Sequence, residues 1–253
     1  MNKLLLDYIL HLADNAFIYG HRLSEWCGHG PALEVDMAIT NISLDNIGAA
    51  RSFYQYAAAV EGDGKTEDSY PYFRDVRAFR NVLLCELPKG NFADTIARSF
   101  YFDAYQFHFY TALQKSKDTQ LAAIATKSLK EVTYHLRFSS EWVVRLGDGT
   151  DESKQKMQQA INTFWEYTGE MFAPSAVEKE MIAAGIAPDI AALRSDWEKT
   201  MADTLQEATL AYPLQLDGGW FQQGGKTGVH TEYMGFILAE VQYMQKSYPG
   251  CDW

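Results

Sequence analysis

Glu131 and His135 stand four apart in the run Lys130-Glu131-Val132-Thr133-Tyr134-His135, one residue out of register for the chemistry that their types suggest. A carboxylate and an imidazole three residues apart, Glu-x-x-His, lie side by side on one inward helix face, and helix bundles use that pair to hold two iron ions. The stripe here runs Leu121, Ala125, Val132, Leu136, Ser139, Val143, Leu146 at helical spacing, with Val132 at its centre and His135 about 60° away. The slot that would be Glu-x-x-His therefore reads Val132-x-x-His135. Glu131 falls about 100° from the stripe centre, on its shoulder with Ile124 and Trp142, within i,i+4 reach of His135 but poorly placed to bridge two metals.

The same search along three other stripes finds few ligands. A helix at 33–60 runs Val35, Ile39, Ile42, Asn46, Ala49, Phe53, Ala57, Val60, with Asn46 its polar residue; a helix at 91–116 runs Ala93, Ile96, Phe100, Asp103, Ala104, Phe107, Thr111, with Asp103 alone charged. The first helix runs Leu5, Ile9, Leu12, Ala16, Tyr19, Leu23, Trp26 and offers no carboxylate on that face. Two irons need roughly four carboxylates and two histidines, whereas these stripes supply Asp103, His135 and Asn46. A buried Asp103 must find a cation, donors or a proton. His135 as imidazolium is one partner, and a neutral hydrogen-bonded trio with Asn46 is the other. A single Zn²⁺ or Fe²⁺ held by Asp103, His135 and Glu131 is the metal-binding alternative.

The elements that must position these residues are helices. Periodicity predicts them at 3–26, 33–60, 71–87, 91–116, 119–146, 151–171, 175–184, 188–210 and 230–248, with breaks at the Gly and Pro clusters and in the glycine-rich 217–228. Short loops join the first and second helices and the two at 91–116 and 119–146, while about thirty residues (61–90) separate the pairs, which is ferritin-like connectivity. The expectation is one all-α domain over 1–253: a ferritin-like four-helix bundle built on 3–26, 33–60, 91–116 and 119–146, with additional C-terminal helices.

The 253 residues are 47% hydrophobic and carry a net charge of −11, which argues against nucleic acid or an anionic membrane as partner. Three cysteines without a CxxC pair indicate neither a disulfide framework nor zinc, and no stretch approaches a membrane span. A cytoplasmic setting follows. Gly224-Gly225-Lys226-Thr227 lacks the earlier glycine and the preceding strand of a phosphate loop. Arg74, Arg77 and Arg80 recur every three residues along the flank predicted at 71–87, and with Lys226 they are candidate contacts for an acyl-CoA or a neighbouring protein, against the plainer reading of a solvated face. Met157, Ile161, Phe164, Trp165, Thr168 and Met171 read as core or interface. An aromatic share of 14% suggests packing against something beyond the chain.

Several runs carry a family resemblance: Glu25-Trp26-Cys27-Gly28-His29, Leu44-Asp45-Asn46-Ile47-Gly48, Gly90-Asn91-Phe92-Ala93-Asp94-Thr95-Ile96-Ala97-Arg98, Tyr134-His135-Leu136-Arg137-Phe138, Lys156-Met157-Gln158-Gln159-Ala160-Ile161-Asn162 and the stretch Gly224 to Glu232. Nearly end to end, the chain resembles the non-catalytic C-type subunits of bacterial phenylacetyl-CoA epoxidases (ring 1,2-phenylacetyl-CoA monooxygenases). The resemblance implies a ferritin-like fold shared with the complex's catalytic A-type subunit, which has the di-iron site. Laid against that paralogue, the ligand slots hold Asn46-x-x-Ala49 and Val132-x-x-His135, with Asp103 at a third position. It further implies no cofactor in this chain, partnership with the A-type subunit, with other epoxidase subunits and with a reductase carrying flavin and an iron–sulfur centre and using NADPH. A homodimer is the alternative assembly for the chain by itself. The rival functions are a self-sufficient ferritin-like metalloenzyme and a free-standing helical binding module.

Overall fold

Helical periodicity becomes helix along the chain. A computed structural model describes residues 2–213 and 219–251, so positions 217 and 218 of the glycine-rich stretch lie outside the described residues. In chain order the helices are α1 (Asn2–Ser24), α2 (Leu33–Glu61), α3 (Leu83–Glu86), α4 (Phe92–Leu113), α5 (Thr119–Gly147), α6 (Asp151–Trp165), α7 (Gly169–Phe172), α8 (Ala176–Ala183), α9 (Arg194–Glu207), α10 (Glu232–Val241) and α11 (Tyr243–Ser247), with 3-10 turns at Glu67–Ser69, Val76–Ala78 and Gly225–Thr227. The described residues contain no strand. The fold class is all-α, with the hairpin, long crossover, hairpin order of ferritin-like chains. No helix of the described residues is long and apolar enough to cross a membrane.

The chain divides into two compact units: Met1–Pro88 with Ser175–Met181 and Gly224–Trp253, and Lys89–Pro174 with Ile182–Gln223. In the first, α1 and α2 form an antiparallel hairpin. Ser43 donates to the Gly20 carbonyl at 2.8 Å, and further along the pair Tyr54 donates to Asp14 at 2.6 Å. Gly62, with φ of 67°, ends α2 in the left-handed conformation that glycine takes without strain. Residues 11–20 of α1 are buried on every face.

In the second unit, α4 and α5 are antiparallel and both firmly capped. Asn91 accepts from the Ala93 and Asp94 amides while Asp94 returns the bond to the Asn91 amide, a complete capping box. Asp118 accepts from Gln120 and Leu121 to start α5. The buried positions of α5 (Leu121, Ile124, Ala125, Ser128, Val132, His135, Ser139, Val143, Gly147) recur every three to four residues and place His135 inward with Val132. An aromatic cluster fills the space beside α4. Trp197 donates to the Tyr101 carbonyl at 2.9 Å and stacks on Trp165 at 5.7 Å, and the Tyr101 hydroxyl donates to the Ile161 carbonyl at 2.9 Å. Met157, Ile161, Phe164, Trp165, Thr168 and Met171 are all buried, so that stripe is core.

The continuous helix expected at 71–87 does not form. Its backbone is claimed by side chains from elsewhere in the first unit. The Arg80 amide donates to Asp14, the Val82 amide to Asn15, the Pro71 and Arg74 carbonyls accept from Gln242, and Arg74's own guanidinium bonds the Tyr70 and Ala78 carbonyls. A helix would have to take those groups back. The helices expected at 151–171 and 230–248 are each interrupted, and the one expected at 188–210 begins only at Arg194.

Candidate functional site

The ligand-type residues of the sequence lie where their stripes put them, on two hairpins. In the second unit, Asp103 on α4 and Val132 and His135 on α5 are buried, with Asp103 and His135 each only 1% exposed. In the first, Asn46 and Ala49 are buried on α2, and Asn46 donates its side-chain amide to the Ile42 carbonyl of its own helix at 2.8 Å. Glu131, 27% exposed, points along α5 to Lys127 at 4.0 Å. Among the described residues no three His, Cys, Asp or Glu side chains are grouped so as to hold a metal ion, and that includes the set Glu131, Asp103 and His135.

The arginines of the crossover do not share a helix flank, because the helix is absent. Arg74 points inward against Asp14, a carboxylate with no solvent exposure that also accepts from Tyr54. Burial works against the Arg74 charge, but Asp14 and the Tyr54 oxygen outweigh it and hold the guanidinium above its ordinary pKa. Burial, then Asp14, pushes the Tyr54 hydroxyl well up. Arg80 bonds the Arg77 and Phe79 carbonyls at 2.7 and 2.8 Å, and Arg77 is exposed.

Lys226 also faces inward. Its ammonium stands 3.1 Å from both carboxylate oxygens of Glu178, with 6% and 3% of the two side chains exposed, and His11 approaches the same carboxylate at 3.4 Å. Burial alone would raise the Glu178 pKa; the charges of His11 and Lys226 and the Ser175 amide overcome it and hold the carboxyl far below its usual range. The surrounding glycines admit backbone rather than ligand: a Cβ on Gly225 would collide with the Asn81 carbonyl, and one on Gly228 with that of Arg77.

A third cluster joins Glu86 to His230. The imidazole Nδ1 lies 2.7 Å from the Glu86 carboxylate and Nε2 lies 3.1 Å from the Phe79 carbonyl. Burial lowers the His230 pKa, but Glu86 and the Phe79 carbonyl raise it more, and the net shift is upward. These clusters tie α1, the crossover and the C-terminal segment together. His11 and Asp14 belong to no single inward stripe because α1 has no exposed face over residues 11–20, and Glu86, Glu178 and His230 lie outside the four bundle helices. The signal available was the spacing of Asp7, His11 and Asp14 along one side of α1.

The chain matches the family model described as phenylacetic acid catabolic protein over residues 1–253. It is 49% identical over 253 residues to the C subunit of the 1,2-phenylacetyl-CoA epoxidase of Escherichia coli (strain K12), covering 100% of both chains. It is 28% identical over 127 residues to the A subunit of the 1,2-phenylacetyl-CoA epoxidase of the same organism, covering 50% of this chain and 41% of that one.

Proposed function

Since this chain belongs to the phenylacetic acid catabolic protein family, we propose that it is the C-type subunit of a multicomponent 1,2-phenylacetyl-CoA epoxidase in aerobic phenylacetate degradation. It is a structural subunit there, supporting an A-type subunit that holds the di-iron centre and performs the ring epoxidation. A reductase with flavin, an iron–sulfur centre and NADPH supplies the electrons, and the complex works in the cytoplasm. The observation that carries this reading is the 49% identity to an epoxidase C subunit over the whole of both chains.

The side chains at the ligand slots support the non-catalytic role. Asn46, Ala49 and Val132 stand where carboxylates or an imidazole are required, so Asp103 and His135 are left with too few companions for two irons, which need about six ligands. These residues do not fit a di-iron centre. The buried charge clusters of the first unit are engaged with one another, which suits a scaffold.

Reconstitution tests the reading. The purified chain alone should not turn over phenylacetyl-CoA with reductase and NADPH; the A-type subunit should do so when this chain is added, and lose activity or solubility when it is omitted. Turnover by this chain alone would overturn the proposal, as would an A-type subunit indifferent to its presence.

A further inference from the structure

The end of α6 and residues 211–213, all within the second unit, flank a cavity of about 550 Å³, a size that suits a small organic molecule. Gln158, Asn162, Trp165, Glu166, Tyr212 and Pro213 line it. One wall is fixed by a two-way bond: the Gln158 side chain donates to the Ala211 carbonyl at 3.0 Å and accepts from the Ala211 amide at 2.7 Å. The same Gln158 nitrogen donates to the Asn162 side-chain oxygen at 3.1 Å, which leaves the Asn162 amide nitrogen as a free donor at the rim.

Asn162, Trp165 and Glu166 follow one another at i, i+3 and i+4, so their side chains share one side of the helix end. Trp165 packs on Trp197 at 5.7 Å and against Tyr212 at 5.3 Å, and is only 8% exposed. Among the described residues its indole N–H has no acceptor, yet the nitrogen is not sealed from solvent. A mostly buried N–H left open at a cavity wall is a donor that a ligand can satisfy. Among the described residues the Glu166 carboxylate likewise has no hydrogen-bond or ion-pair partner.

These groups discriminate between ligands by charge. An anion would meet Glu166 and the negative end of α6, in a chain of net charge −11. A cation would suit Glu166 but offers the Trp165 and Asn162 donors nothing to bond. A carboxamide serves both, with N–H for Glu166 and a carbonyl oxygen for the donors, and a flat ring joined to it packs against Trp165 and Tyr212. We propose that this cavity is a binding site for a neutral aromatic carboxamide, held by Asn162, Trp165 and Glu166. The site stands whether or not the chain pairs with an A-type subunit.

The test uses the full chain and benzamide, with benzoate and benzylamine as the anionic and cationic counterparts. The Trp165 indole N–H resonance, identified by its loss in Trp165→Phe, should shift saturably with benzamide at about 1 mM, an ordinary affinity for so small a molecule. Benzoate should leave it in place, and benzylamine should bind at least ~5-fold more weakly than benzamide. Glu166→Ala should weaken benzamide by ~10-fold or more and Asn162→Ala by ~3-fold. Arg194→Gln, beside a neighbouring cavity that Trp165 also borders, should leave the affinity within ~2-fold. Unaltered melting temperatures would establish that the variants are folded, and the three ligands on the wild-type chain decide the matter for any that is not. No saturable benzamide shift, benzoate binding as tightly as benzamide, or indifference to Glu166→Ala overturns the proposal. An Arg194→Gln loss as large as that of Glu166→Ala overturns it as well.

Discussion

Glu86 and His230 meet in a fully enclosed pair, with 0% and 1% of their side chains exposed. Glu86 accepts from His230 at 2.7 Å, from the Asn81 amide at 2.9 Å and from the Thr231 backbone amide at 2.6 Å, while the far nitrogen of His230 faces the Phe79 carbonyl at 3.1 Å. With oxygen on both sides, the ring is suited to carry both protons.

The pH dependence follows from the sign of the shift. His230 has its folded pKa raised above the ordinary 6.5, so its stabilisation is complete below about pH 6.5 and is lost as pH rises through the folded value. Wild type should exceed His230→Asn by about 1.5–3 kcal/mol at pH 6, where charged hydrogen bonds are intact, and the gap should narrow toward pH 9. Thermal melts of both proteins across that range decide it. A gap that is constant or widens with pH contradicts the assignment.

Asp14 and Arg74 should behave as a buried pair. Asp14→Ala leaves a largely enclosed guanidinium and Tyr54 hydroxyl without their acceptor and should cost about 3–5 kcal/mol in urea unfolding. The double variant Asp14→Leu with Arg74→Met removes both charges and should recover part of that loss. A double variant no better than the single one would show that the pair's charges are not what matters.

Gly225→Ala probes the close approach of the C-terminal segment to the crossover. A methyl group there meets the Asn81 carbonyl directly, so backbone must move. Hydrogen exchange should quicken across residues 224–241 while α4 and α5 stay protected; unchanged exchange in the segment would contradict the packing described.

Asp103, 1% exposed on α4, should be structural. Asp103→Ala should destabilise the chain by about 3 kcal/mol, because partners of a buried carboxylate are left uncompensated. A variant that unfolds like wild type would argue that Asp103 makes no stabilising contact.

The two hairpins were legible in the sequence because α2, α4 and α5 have caps, glycine or polar breaks and an inward stripe, and the predicted bounds differ from the observed ones by at most a few residues. The ligand-type residues on those stripes were legible for the same reason: Asn46, Asp103 and His135 are all buried. The crossover was not. Arg74, Arg77 and Arg80 mimic a helix flank, but the hydrogen bonds that decide the conformation come from Asp14, Asn15 and Gln242, up to 171 positions away. Local spacing carries no trace of such partners. Lys226 was misleading in a related way, since a lysine among glycines suggests an open anion loop, whereas here the glycines let backbone pack closely and the lysine neutralises the buried Glu178.

The iron content of the purified chain decides whether this chain is non-catalytic. After expression in iron-rich medium and removal of loosely bound metal, elemental analysis should give far less than one iron per chain, because Ala49 and Val132 carry no donor atom and Asn46 offers a neutral amide oxygen in place of a carboxylate. About two irons per chain, the loading of an intact di-iron bundle, would contradict it.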